Sequence, residues 1–171
     1  MKKLIVFGFI LALSFNTSIA QKYAFVDTEY ILNNIPTYKS AQAQLDKLST
    51  DWEKEISEMY GEVERLYKAY QNDAVLLTQE MKKQREDEIV NKEKVAKDLQ
   101  SKYFGPDGEL FKKRQELIKP IQDEIYNAVK ELAVEGNYAV IFDSSGSLSM
   151  LYTNPRYDLS DDILEKLGYR N

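Results

Sequence analysis

From Tyr38 onward the apolar residues recur at helical spacing: Tyr38, Ala41, Leu45, Leu48, Trp52, Ile56, Met59, Val63, Leu66 and Tyr70. The steps alternate between three and four, apart from a doubled four across Leu48, Trp52 and Ile56. Such a stripe keeps one face turned toward a partner helix in a left-handed coiled coil. The doubled four is a stutter, which locally relaxes the supercoil. Gly61 falls inside the run and costs about 1 kcal/mol relative to Ala. Around Asn72 to Leu77 the period fails, and Thr78 with Gln79 and Glu80 reads as a fresh helix start, with a capping hydroxyl and an acid in the first turn. This predicts the tip of a helical hairpin near 72–78. The returning arm, Thr78 to Phe104, has a thinner stripe through Met81, Ile89, Ala96, Leu99 and Tyr103. Gly105-Pro106-Asp107-Gly108 breaks it. The stripe resumes at Phe111 and Leu117 and is clearest at Ile118, Ile121, Ile125, Ala128 and Leu132. Pro120 is expected to bend this segment, and Gly136 to end it as a C-cap.

The flanks of this hairpin echo one another. Tyr23 to Asp27 is a compact, β-prone run, and Tyr138 to Asp143 repeats its pattern. After the first, Thr28 to Asn34 reads as a short helix stopped by Pro36. After the second, Ser144-Ser145-Gly146 reads as a turn and Ser147 to Thr153 as another strand hairpinned to its neighbour. A last helix has Ser160 as its expected N-cap, Asp161 and Asp162 in the first turn, a Leu159–Leu164 staple, and Gly168 as its stop. The predicted class is α+β: a helical coiled-coil hairpin over 37–135, projecting from a small β-rich body made of 21–36 and 136–171. An arm of roughly 36 residues spans about 54 Å; the returning arm is longer, so its kinked end should re-enter the body. Three short strands leave two unpaired edges and little core. Phe25, Val26, Val140, Ile141, Phe142, Leu148 and Leu151 are therefore expected to be completed by further copies of the chain.

Composition narrows the chemistry. Met1-Lys2-Lys3, the apolar run Leu4 to Leu13 and the small residues at Ser18 and Ala20 form a signal peptide, with cleavage expected after Ala20. The apolar run is short of the roughly 20 residues a membrane span needs. Losing Lys2 and Lys3 takes the net charge from −5 to −7. The charges are mixed along the chain, which speaks against a nucleic-acid partner. With no cysteine and no histidine, the sequence offers no disulfide framework, none of the commonest zinc ligands and no imidazole base. No catalytic, metal or cofactor residue is expected. Phe142-Asp143-Ser144-Ser145-Gly146 approximates an aspartic-protease Asp-Ser/Thr-Gly loop but has one residue too many, and no glycine-rich phosphate loop is present.

A strand ending in Val26-Asp27, a long α-hairpin, Val140-Ile141-Phe142-Asp143, a second strand and the helix Asp158 to Leu167 follow the export signal. That order resembles the Skp/OmpH family of periplasmic chaperones over essentially all of 21–171. The stretches Phe104 to Phe111 and Leu117 to Gln122 are similar to the Bacteroidetes-type version of that family. The resemblance implies a homotrimer with a small β-barrel body and three helical arms. It also implies that unfolded outer-membrane β-barrel proteins are held in the periplasm without ATP or any cofactor. The best-known members are basic and this chain is acidic, so contact with an anionic membrane surface or lipopolysaccharide gains no support from charge. A holdase needs many weak contacts whose sum is large. The candidates are Val75, Leu76, Leu77 and Met81 near the tip, with Tyr60, Tyr67, Tyr70 and Tyr103 along the arms, since methionine and tyrosine adapt to varied partners. The plainer reading puts the tyrosines in the helix–helix seam; for the tip leucines the two readings balance. The alternative function is a non-enzymatic coiled-coil scaffold of the cell envelope.

Overall fold

The computed structural model describes residues 21–146 and 152–169. In chain order it contains β1 (Lys22–Val26), α1 (Thr28–Asn34), α2 (Pro36–Asp73), α3 (Gln79–Phe104), α4 (Glu109–Glu135), β2 (Tyr138–Asp143), a 3-10 turn (Pro155–Tyr157) and α5 (Ser160–Lys166). The class is α+β, with long helices on a small sheet. Asp27 caps α1 by accepting from the Tyr30 backbone N–H at 2.9 Å. Between α1 and α2 only Ile35 is extended, and it is buried. Pro36 therefore does more than stop α1: it opens α2 at the first helical position, where its missing N–H leaves nothing unpaired.

Every one of the ten stripe positions of α2 is buried or half-buried, Ala41, Leu45 and Ile56 most deeply. With 38 residues, α2 is about 57 Å long. It ends at Asp73, and the Thr78 hydroxyl accepts from the Met81 N–H at 3.3 Å to start α3 back along it. The return is interrupted at 105–108, where the N–H groups of Gly105 and Gly108 donate to Ser101 and Gly105 carbonyls, each at 2.9 Å. Gly108 is required there, because a Cβ would stand 2.7 Å from the Tyr103 carbonyl oxygen. The break resets the helical phase. Phe111, expected on the stripe, is exposed, and Leu110 instead packs with Tyr38 against the foot of α2.

Beyond the foot, where Ile118 meets Ala41 and Leu45, α4 continues into the body. Ile121, Ile125 and Ala128 join Ala24, Val26, Ile31, Ile35, Leu159, Ile163 and Leu164 in the main core. Gly136 ends the helix, its N–H donating to the Leu132 carbonyl at 2.9 Å. The left-handed residue that turns the chain is the next one, Asn137, at φ 53°; asparagine tolerates that region better than most residues. β2 then runs parallel to β1, with Tyr23 opposite Val140 and Phe25 opposite Phe142. On the other side of β1, the Leu159 N–H donates to the Phe25 carbonyl at 2.9 Å. The strand expected over 147–153 falls mostly on 147–151, which lie outside the described residues, as do the expected signal peptide and the residues Leu148 and Leu151. Tyr152 and Thr153 belong to no strand.

Ser160 departs from its expected role. It is the first helical residue of α5 and is buried, and Leu159 occupies the cap position. Asp158 takes over the capping, accepting from the Ser160 N–H at 2.9 Å and hydroxyl at 2.6 Å. The Ser160 oxygen is thereby free to accept from the Asp27 N–H at 2.8 Å, which ties α5 to the start of α1.

Gly61 is exposed in α2, with open space where a side chain would stand. Gly61→Ala should therefore raise stability by about 0.5–1 kcal/mol, measured as a shift of the urea midpoint followed by circular dichroism.

Candidate functional site

The parallel register decides which strand residues are available at the surface. Side chains alternate across a sheet, and Ala24, Val26 and Ile141 turn inward onto the helices. Val26 and Ile141, named above for contact with other copies, pack against the protomer's own core, Val26 buried and Ile141 half-buried. Phe25, Val140 and Phe142 turn the other way. The Phe25 and Phe142 rings stack at 5.8 Å, Tyr23 meets Phe25 edge-on at 6.5 Å, and Tyr157 lies 6.1 Å from Tyr23. The result is an aromatic face open to solvent, with Tyr23 56 % exposed and Val140 47 %.

Along the arm, the hairpin register explains three tyrosines at once. Tyr60 donates its hydroxyl to Gln100 at 3.3 Å, Tyr103 to Glu55 at 3.0 Å, and Tyr70 to Glu86. Lys92 and Glu62 add an ion pair across the same seam at 3.1 Å. The accepting carboxylates of Glu86 and Glu55 raise the Tyr70 and Tyr103 phenols above their ordinary values. Tyr103 also stacks flat on Trp52 at 4.6 Å, with Phe104 edge-on to the indole at 6.3 Å. These tyrosines act as rungs between helices. Tyr67 is half exposed and makes no such rung, and Met81 is similarly half exposed. At the tip, Leu77 is half-buried with Leu66, Tyr70 and Ile89 around it. Val75 and Leu76 project from the apex, 92 % and 85 % exposed.

A polar cluster joins the end of β2 to the start of α1. One oxygen of Asp143 accepts from the Thr28 N–H (3.2 Å), the Ser145 N–H (3.0 Å) and the Ser145 hydroxyl (2.8 Å). The other accepts from the Thr28 hydroxyl at 2.7 Å. Burial pushes the Asp143 carboxyl up, but the hydrogen bonds from Thr28 and Ser145 outweigh it and hold the group below its ordinary value. With its oxygens committed to Thr28 and Ser145, this aspartate is a clamp between β2 and α1. Among the described residues, no group of His, Cys, Asp or Glu is arranged to hold a metal ion.

The family described as outer membrane protein (OmpH-like) matches residues 22–167 of this chain. An uncharacterised protein of Aquifex aeolicus (strain VF5) is 27 % identical over 150 residues, covering 88 % of both chains. A crystal structure from Caulobacter crescentus CB15, assigned as an outer membrane chaperone (OmpH-like), superposes with a TM-score of 0.66. It is 13 % identical and the match covers 86 % of this chain and 83 % of that one. At that identity the likeness concerns the fold.

Two predictions come from these contacts. A carboxyl whose folded-state pKa is depressed stabilises the fold above its unfolded value of about 3.9, and the contribution is lost as pH falls through the folded value. Asp143→Asn should therefore cost about 0.5–1 kcal/mol at neutral pH, the effect being screened because the group is largely exposed, and the gap to the parent should close as the pH drops below about 4, read from urea melts across pH. Removing the stacked ring by Tyr103→Ala should lower the urea midpoint and shift the emission of Trp52, the only tryptophan, to the red.

Proposed function

Because the chain belongs to the OmpH-like outer membrane protein family, we propose that it is an ATP-independent holdase. It keeps unfolded outer-membrane β-barrel proteins from aggregating in the periplasm after its signal peptide has been cleaved following Ala20. The observation that carries this reading is the contrast between the two faces of the sheet. One face packs onto the protomer's core, while the other leaves Tyr23, Val140 and Phe142 exposed and Phe25 half-buried. Parallel sheets are almost always covered on both faces, and an aromatic patch of this kind marks an association surface. A homotrimer in which three such faces meet would cover them and leave three arms standing around a shared space.

No group on the described surface calls for chemistry, and a holdase requires none. Its affinity is the sum of many weak apolar contacts, each easily broken on release. Of the arm candidates named above, Tyr67 and Met81 are left over from the seam, and they are the ones we assign to the client. Tyr70 and Tyr103 would serve by holding the two helices of each arm together.

Native mass spectrometry of the 21–171 protein tests both parts. A trimer is expected, and dilution of a urea-unfolded outer-membrane barrel into it should add one client chain and suppress light scattering. Phe142→Asp, which places a charge within the aromatic face, should shift the trimer to monomer at micromolar concentration and abolish the protection. A stable oligomer that ignores the client would transfer the function to an envelope scaffold, and a monomeric parent would overturn the assembly.

A further inference from the structure

The apex of the arm differs from its flanks in a way that client holding does not explain. The turn at 74–76 lies beyond the ends of both α2 and α3. It is pinned by the Leu76 N–H donating to the Asp73 carbonyl at 2.8 Å, by the half-buried Leu77 and by the Thr78 cap. Two consecutive aliphatic side chains, Val75 and Leu76, are therefore held out by a well-built turn and are the most exposed large apolar residues described. A client held between arms would meet their sides, at Tyr67 and Met81. Val75 and Leu76 face whatever lies past the arm's end.

The chemistry of that apex selects its partner. A specific complex with a folded protein buries on the order of 1,200–2,000 Å² with matched shapes, which a convex knob of two side chains does not offer. A bilayer makes no demand on shape and accepts apolar residues below its headgroups. The flanking charges nearly balance: Asp73 and Glu80 stand against Lys82 and Lys83, which make no ion pair among the described residues. We propose that Val75 and Leu76 form a wedge that dips into the headgroup–acyl boundary of a lipid bilayer, by apolar contact and not by attraction to anionic lipid. One wedge is a weak anchor. The reading rests on the proposed trimer only for its strength, since linked contacts raise binding by on the order of 10²–10⁴.

The chain has no cysteine, so Val75→Cys can carry a single environment-sensitive dye in the intact protein. With protein-free phosphatidylcholine vesicles, the dye emission should shift to the blue and change little as salt is raised about tenfold, beyond the range of charge attraction. The double variant Val75→Ser, Leu76→Ser should float with those vesicles at least about tenfold less than the parent. Protection of an unfolded barrel by the parent, measured in the same preparations, separates a failure of the wedge from a failure of the holdase. A dye that shifts with unfolded barrel but not with vesicles would make the apex a client contact and overturn the proposal. So would a dye that responds to neither, or binding confined to phosphatidylglycerol vesicles and abolished by salt.

Discussion

Pairing Lys22–Val26 with Tyr138–Asp143 closes a loop of more than a hundred residues, and such closure costs chain entropy that two short strands alone would not recover. The arm makes the pairing affordable. As α3 and α4 zip back along α2, residues distant in sequence are delivered to the foot of the hairpin already close together. There α4 passes beneath the strands, and Ile121, Ile125 and Ala128 bury the inner face of the sheet. Asp143 then locks the end of β2 to the start of α1. The body therefore depends on the arm for its assembly, although the two look like separate parts in the sequence.

That dependence also explains why the sheet has two characters. Only one layer of helices reaches it, because α1, α4 and α5 all pack on the Ala24, Val26 and Ile141 side. Among the described residues no helix covers the aromatic side. Lys166 closes the helical layer by pairing with Glu131 and Glu135 of α4 at 3.1 and 2.9 Å, so α5 is committed to the same side.

Most of the arm was legible in the sequence because helical periodicity is local. The α2 stripe, the cap at Thr78, the break at 105–108 and the bounds of α1 and β2 all follow from neighbours a few residues apart. What was not legible depends on register between distant segments. The alternation in Phe25-Val26 and Ile141-Phe142 was visible, but which parity is buried is fixed only when β1 lies parallel to β2 above α4. Likewise Tyr60, Tyr70 and Tyr103 resemble one another in sequence, and only the pairing of α2 with α3 gives each a hydrogen-bond acceptor. Phe111 was misplaced because the break starts a new helical phase at Glu109. Ser160 was misplaced because Asp158 is a competing cap two residues earlier.

The break at 105–108 has a mechanical side. Along most of its length the arm is a pair of helices joined by aromatic and polar rungs, so bending it means stretching one helix against the other. At the break only α2 is continuous, and the stiffness there falls to that of a single rod. Trp52, stacked on Tyr103 and met edge-on by Phe104 just on the tip side of this point, keeps the outer segment rigid up to the joint. Thermal bending therefore concentrates at one level, and a deflection of a few degrees there becomes a displacement of several ångströms at the apex, with no hydrogen bond broken.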